Sequence, residues 1–434
     1  MCAWWGLSLE IVSIMKRAGI ILSTVILLTA ASCRSSRQYE SDDPWLVRIT
    51  PQLAAALDSC HEFGLFMEGA AFVTDGNRYG YLDRDADLFV GYEYDVASPF
   101  YDGLARVCRD FIWGFIDHSG QVVIPLVYDY VADFSEGMAA FHADGPWGYI
   151  NARGDTVIGP RYRRAGQFHD GLAYIVDDAN RYGFVDREGC ELFARDSCIF
   201  AGRFSEGLAP VLRDGMYGFA DRSGNIVIEP QYDEIEAFSC GRAMVRKSFF
   251  WGFIDKEGNE VIPLKYLEAH SFSCDRAAVR EYGKWGYIGL DGTPITGYRF
   301  DDGWDFSEDR AAVCIDSLWG YIDTKGKQVV KPKYRDAWNF VEGMAVVRRD
   351  SLWGYINLKG KEIIRPAYSY AFNFNHGVGW VEKTVDGRTR GGLVDRYGNT
   401  TFQWGQSLEH GDSPWNMGTD PSTWGQSLAH GDRP

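Results

Sequence analysis

Seven aspartates recur along the chain at similar places, Asp83, Asp117, Asp186, Asp221, Asp255, Asp323 and Asp395. Paired carboxyl groups are the equipment of glycoside hydrolysis, one protonating the leaving oxygen while the other attacks or activates water. Asn151 and Asn357 stand at the same place, and an amide cannot exchange a proton as that chemistry requires. The pattern, as in Asp117 to Gly120 and Asp323 to Gly326, is a turn in which the side chain caps backbone amides and Gly takes the positive-φ position. Other chemistry is thin. His61-Glu62 lacks the second histidine of a zinc-protease helix, and neither a Gly-x-Ser-x-Gly elbow nor a Gly-rich phosphate loop occurs. His118, His142, His169, His270 and His376 fall at different repeat positions, as surface or loop residues do. We therefore expect no catalytic residue, no cofactor site and no metal site, and class the chain as non-enzymatic.

What must position these residues is a repeat. Trp-Gly or Tyr-Gly occurs at Tyr79, Trp113, Trp147, Tyr182, Tyr217, Trp251, Trp285, Trp319 and Trp353, with gaps of 34 or 35. A second ladder, Phe66, Phe100, Phe134, Phe168, Phe204, Phe238, Phe272, Phe306, Phe340 and Phe374, keeps the same period with a single gap of 36. Each unit reads F-S-E-G-x-A-x-V, a tight turn, W-G-F/Y-I-D-x-x-G-x-x-V-I, then P-x-Y-D and a connector. Ten such units fill residues 66 to about 400. Alternating or β-branched stretches such as Ala105-Arg106-Val107, Trp113 to Asp117 and Val122-Val123-Ile124 predict three strands per unit in a meander. The Gly after each Trp predicts a close backbone approach or a bulge. Pro125, Pro230, Pro332 and Pro366 end the third strand. A unit of this size cannot bury its apolar face alone, so neighbours must stack.

The recurrent motif resembles the WG-repeat (WG-containing or KWG repeat) family of bacterial proteins, over roughly three quarters of the chain. It departs in the fifth gap, where two single-residue insertions occur and Cys198 replaces a Tyr, and in the last unit, where Gly391-Gly392 follows a four-residue insertion. We expect an all-β tandem array of about ten 34-residue three-stranded repeats, stacked as an open solenoid or superhelix. Ten units exceed the usual four to eight blades of a propeller and only three strands are visible in each, so a propeller-like closed toroid is the alternative.

Cysteine supplies a test of stacking. Setting aside Cys2 and Cys33 leaves Cys60, Cys108, Cys190, Cys198, Cys240, Cys274 and Cys314, an odd number, so at least one is not in an intramolecular pair. Cys240 and Cys274 share the F-S-C position of successive units and would bridge if stacking brings their Cα atoms within about 7 Å. Cys190 and Cys198 are candidates for a local bridge, with buried thiols as the alternative for all. The spacings do not match a structural zinc site.

The N-terminus reads as an address. Met15-Lys16-Arg17 precedes an uncharged apolar run from Ala18 to Ala31, short for a membrane span and shaped like the core of a secretion signal. Ala30-Ala31-Ser32-Cys33 resembles the lipobox of bacterial lipoproteins, with Ala30 where Leu is usual. The resemblance implies that Cys33 carries the lipid (palmitate among its acyl chains). Met1 to Ile14 lie upstream of a complete signal, so Met15 is the expected start. We assign 1–32 to an upstream extension and signal peptide, 33–51 to a lipid-anchored polar tether, 52–402 to the repeat array and 403–434 to a tail. In that tail Trp404 to Asp412 recurs as Trp424 to Asp432. His410 and His430, each two residues before an Asp, are read as part of a mobile Gly- and Pro-rich segment in place of a metal site.

Composition agrees. Of 434 residues 15% are aromatic and 49 are Gly, which the repeat accounts for. The net charge of −16 argues against nucleic acid as a partner. Hydrophobic content of 46% excludes wholesale disorder and a polytopic membrane protein. The expected function is a cell-envelope lipoprotein, in the outer membrane and facing the periplasm or the surface. It would be held to the membrane by lipid, and its array would present a scaffold or interaction surface to an envelope or extracellular protein. The alternative is a glycan- or cell-wall-binding module accessory to an enzyme. Outward-facing aromatics between the first and second strands of each unit, Phe111, Phe249 and Phe250 among them, discriminate between these uses of the array.

Overall fold

The computed structural model describes residues 45–142, 145–194, 197–385 and 387–401. Cys33, the signal segment and the duplicated tail with His410 and His430 lie outside the described residues.

Each repeat folds into one small antiparallel sheet, and there are ten sheets, eight of four strands and two of three. Blade two is typical. Its strands are Val96–Ala97, Leu104–Arg109, Ile112–Asp117 and Val122–Tyr128, paired in sequence order. The strand missing from the sequence reading is the first. It is two residues long, within what reads as a connector, and pairs Val96 with Cys108 and Ala97 with Val107. Two residues are too few for alternation to register.

The Gly of the Trp-Gly pair stands at a bulge. Trp113 faces Tyr128 while Phe115, two residues on, faces Ile124, four residues back. The outer strand thereby crowds Gly114, where a Cβ would lie 2.6 Å from the Ile124 carbonyl oxygen. The Asp turn is also as expected. Asp117 Oδ1 accepts from the amides of Ser119 (2.8 Å) and Gln121 (3.1 Å), and Gly120 has φ +80°.

Neighbouring blades are joined by the repeated rings. The residue after Trp-Gly is fully buried and meets the Phe of the next unit edge to face: Phe115 with Phe134 at 4.7 Å, Tyr149 with Phe168 at 5.0 Å, Tyr321 with Phe340 at 4.9 Å. Such pairs contribute roughly 0.5–1.5 kcal/mol each beyond their area. Where the ring is Tyr its hydroxyl donates to a carbonyl at or just after the next blade's first strand, as from Tyr321 to the Trp338 carbonyl at 2.7 Å. The Trp itself is mostly half-buried, with Trp285 and Trp353 buried.

The array is a closed ring, a β-propeller, which corrects the expectation of an open solenoid. Blade one, starting at Glu62–Phe63, and blade ten, with strands Tyr370–Asn375, Val378–Val385 and Arg388–Asp395, share one core. In it Phe63, Phe66 and Leu82 pack with Val378 and Leu393. Leu393 stands where the other blades have an aromatic ring, and the room left is filled by α1, Pro51–Ser59, through Leu53 and Leu57, both wholly buried. Helix α1 starts at Thr50, whose hydroxyl accepts from the Leu53 amide at 3.1 Å. The segment before it crosses the seam. The Val47 amide donates to the His376 carbonyl at 2.9 Å, and the Ile49 amide to the buried Asp395 carboxylate at 3.2 Å. Val47 and Ile49, assigned to the tether, are thus buried.

Neither cysteine pair is bonded. Cys240 and Cys274 belong to separate cores, one around Phe272 and Tyr266, the other around Phe306 and Tyr287, because a ring fans its blades apart. Cys190 is exposed on a hairpin turn, whereas Cys198 is buried against Phe184 and Phe200.

Candidate functional site

The ring has two different faces. One carries the F-S-E-G and Asp-x-x-Gly turns, the other the tips between the second and third strands and the connectors to the next blade. On the turn face the acidic residue of one repeat caps the turn of the next. Glu68 accepts from the Gly103 amide (2.9 Å), Asp102 from Gly137 (2.8 Å), Glu308 from Gly343 (2.9 Å), and Glu342 from both His376 (2.6 Å) and Gly377 (2.8 Å). The preceding Ser donates to the next Phe carbonyl, as from Ser307 to Phe340 at 2.7 Å. A basic residue after the turn Asp commonly completes the site: His118 on Glu68 at 3.3 Å, Arg187 on Glu136 at 2.8 Å, Lys256 on Glu206 at 3.2 Å. Burial pushes the Glu136 carboxyl up, but the Gly171 amide and Arg187 outweigh it and hold the pKa below the usual value. These groups serve inter-blade joints, so the turn face is structural.

Two of the histidines are likewise in joints. His118 stacks between Trp45 (5.4 Å) and Phe100 (4.0 Å). His270 Nδ1 lies 2.9 Å from Asp305 Oδ1 across the junction of blades seven and eight. Burial would lower the His270 pKa, yet the Asp305 carboxylate outweighs it and raises the value. The seven aspartates stay apart, each in its own turn, so the structure brings together no paired carboxyl site from them. Among the described residues no group of three or more His, Cys, Asp or Glu side chains could hold a metal ion. Two shallow clefts, of about 450 and 290 Å³, are open to solvent, unlike an enclosed substrate pocket.

On the tip face, the Asp of P-x-Y-D has a role that sequence alone does not show. It caps the tip of the following blade: Asp95 accepts from the Asp110 amide (2.6 Å), Asp301 from Asp316 (2.7 Å), and Asp233 from Ser248. Leu267 occupies this position before blade seven and is 56% exposed. The tip it adjoins carries Tyr282, 88% exposed and at φ +51°, a conformation unfavourable for a bulky side chain. On the other side, blade six ends its tip with Phe249 and Phe250, 78% and 43% exposed.

Register places these four together. Trp251 faces Tyr266, which puts Phe250 beside Leu267, and Glu268 faces Arg280, which puts Leu267 beside Glu281 and next to Tyr282. An apolar patch thus covers the seam between blades six and seven. Blade seven also has no regular outer strand. Pro294 and Gly297 interrupt it, and Thr296 Oγ1 accepts the Tyr287 amide at 2.9 Å in place of a backbone carbonyl. Phe111, 90% exposed at φ +63°, stands alone on blade two. The exposure of Phe111, Phe249 and Phe250 was legible in sequence. The contribution of Leu267 was not, since its signal is a missing Asp cap.

The family model described as WG containing repeat matches residues 79–110, 113–145, 147–179, 217–248, 251–285, 285–319, 319–353 and 353–384. No curated protein sequence matches the chain. Solved structures that align with it include the computationally designed Ika8 protein (12% identity, 63% of this chain and 95% of that one, TM-score 0.33). A eukaryotic initiation factor aligns at 10% identity over 67% of this chain and 92% of that one, TM-score 0.42. The tricorn protease aligns at 13% over 81% and 45%, TM-score 0.22. We draw nothing from alignments this loose.

Proposed function

The chain belongs to the WG-repeat family, and from that premise we propose that its ring is a non-enzymatic protein-interaction platform, with the patch of Phe249, Phe250, Leu267 and Tyr282 as its docking site. The observation that carries this reading is the exposed apolar cluster at one seam of the tip face. Asp95, Asp233 and Asp301 cap the tips of blades two, six and eight, and Arg163, Arg335 and Ser369 stand at that place before blades four, nine and ten; before blade seven Leu267 and the adjoining Tyr282 put exposed apolar surface there. Exposed aromatics are the residues that dominate protein contacts. The Trp rings of the repeat favour protein over glycan as ligand, because they are already engaged within the ring, Trp113 beneath Arg106 at 5.2 Å and Trp353 beneath Arg348 at 5.4 Å.

We also propose that Cys33 is acylated and holds the ring at the bacterial envelope, several acyl chains being needed for lasting attachment at roughly 0.8 kcal/mol per buried methylene. This rests on the sequence. An unmodified Cys33 by intact mass would refute it.

Capture from intact envelopes tests the platform. The full chain should retain a protein that the Phe249→Ser, Phe250→Ser, Tyr282→Ser variant releases, since single anchors of this kind cost about 2 kcal/mol or more when lost. Recovery of polysaccharide without protein, or equal retention by the variant, would refute it.

A further inference from the structure

The chain carries −16 overall, but residues 325–365 hold ten Lys and Arg against four Asp and Glu. This stretch builds the outer strands of two adjacent blades. Blade eight has its outer strand at Gln328–Tyr334, blade nine at Glu362–Tyr368. Lys325, Lys327, Lys331 and Arg335 on the first, and Lys359, Lys361 and Arg365 on the second, are all exposed. None has a carboxylate within ion-pair distance among the described residues. On other blades cations at the outer strand or the turn before it are paired in several places, as Arg153 is by Asp155 at 3.2 Å, Arg161 by Glu191 at 3.1 Å, and Lys256 by Glu206 at 3.2 Å.

We propose that this wall binds an extended acidic segment of a partner protein. On blade eight the cations run from the turn before the strand, through its middle, to the residue after it, roughly 25 Å at the rise of a strand. On blade nine the wall contains the larger cleft, about 450 Å³, lined by Arg349, Asp350, Ser351, Leu352, Glu362, Arg365 and Pro366. Of its two acids, Glu362 is occupied by hydrogen bonds from Arg349 and from the Tyr334 hydroxyl (3.1 Å), with Lys333 at 3.9 Å, while Asp350 is exposed at the tip and makes no ion pair with Arg365. Arg365 is left to face a ligand. Leu352, 41% exposed, gives the cleft an apolar floor.

A stripe of charge along a strand with one concave apolar step suits a polypeptide that alternates acidic and apolar side chains. A flat bilayer would need coplanar cations. A long polyanion would meet the acidic remainder of the ring, while a short segment would not, since fields die away within about 8 Å at physiological salt.

The test is fluorescence anisotropy on the full chain with a labelled peptide of about ten residues alternating Glu and Leu. Its counterpart with Gln for Glu, and vesicles containing phosphatidylglycerol, are the comparisons. The Glu peptide should bind, weaken as salt rises, and lose about tenfold or more in affinity with K331E/R365E. K331Q/R365Q, milder for folding, should fall between. R153E, at the turn of blade three equivalent to Lys325, should bind as the parent does. Equal binding of the Gln peptide, insensitivity to K331E/R365E, or binding to vesicles alone would overturn the proposal. The Phe249 and Tyr282 variants are expected to keep the peptide, so failure here is separable from failure of the aromatic patch.

Discussion

Leu57 joins the first and last blades although it lies more than 300 residues from Leu393. Replacing it with Ala removes a wholly buried side chain and leaves a cavity that a core shared by α1 and two blades can close only in part. Comparable truncations cost about 3–5 kcal/mol. In a closed ring that loss falls on the seam, so amides exposed by seam opening should exchange about 100-fold faster or more, at 1.4 kcal/mol per tenfold. Hydrogen exchange read by mass spectrometry is the assay. Peptides spanning Val378–Asp395 in blade ten should lose protection together with those of blade one, while Leu208–Asp221 in blade five changes least. If α1 merely caps an open array, Leu57→Ala would loosen blade one and leave Val378–Asp395 as it was, and the reasoning would be wrong.

Gly354→Ala places a Cβ 2.5 Å from the Ile364 carbonyl oxygen and 2.6 Å from the Pro366 nitrogen, so the bulge must shift at a cost of about 1–3 kcal/mol or more; a wild-type urea midpoint would contradict this. Glu342→Gln keeps the shape but weakens two charge-assisted caps on His376 and Gly377, and should lower stability by about 1 kcal/mol, discounted for partial exposure. His270 sits with Asp305, Asp302 and Glu268 around it and Trp285 at 4.8 Å. Its folded pKa is raised above the ordinary 6.5, so the stability it adds is complete below about 6.5 and disappears as pH rises through the raised value. The melting temperature of the parent should exceed that of His270→Gln at pH 5.5 and approach it at pH 8.5; a constant difference would refute the coupling.

Much of the fold could be read from residues because the repeat exposes its own constraints. The Gly that follows Trp or Tyr at nine positions announces a backbone approach that Gly114 and Gly354 make real. Asn151 and Asn357 in the Asp position identify a turn by showing that charge is dispensable there. What escaped was of two kinds. Strands of two residues, such as Val96–Ala97, are too short to carry a period. Closure depends on features that occur once, namely Leu393 in place of a ring, the helix Pro51–Ser59 and the Ile49 to Asp395 hydrogen bond, whereas a period reports only how each unit meets its neighbour. The same distinction governs the candidate site. Exposed Phe249 could be anticipated from an aromatic in a tip. Leu267 becomes informative only after the structure assigns the Asp it replaces to capping.

The closed ring is the premise on which both surfaces rest, because closure fixes which blades adjoin. Two-dimensional class averages of the full chain by electron microscopy, viewed along the ring axis, test it directly. The structure predicts an unbroken ring of ten lobes. An open arc or superhelix, with its first and last lobes apart, would contradict it.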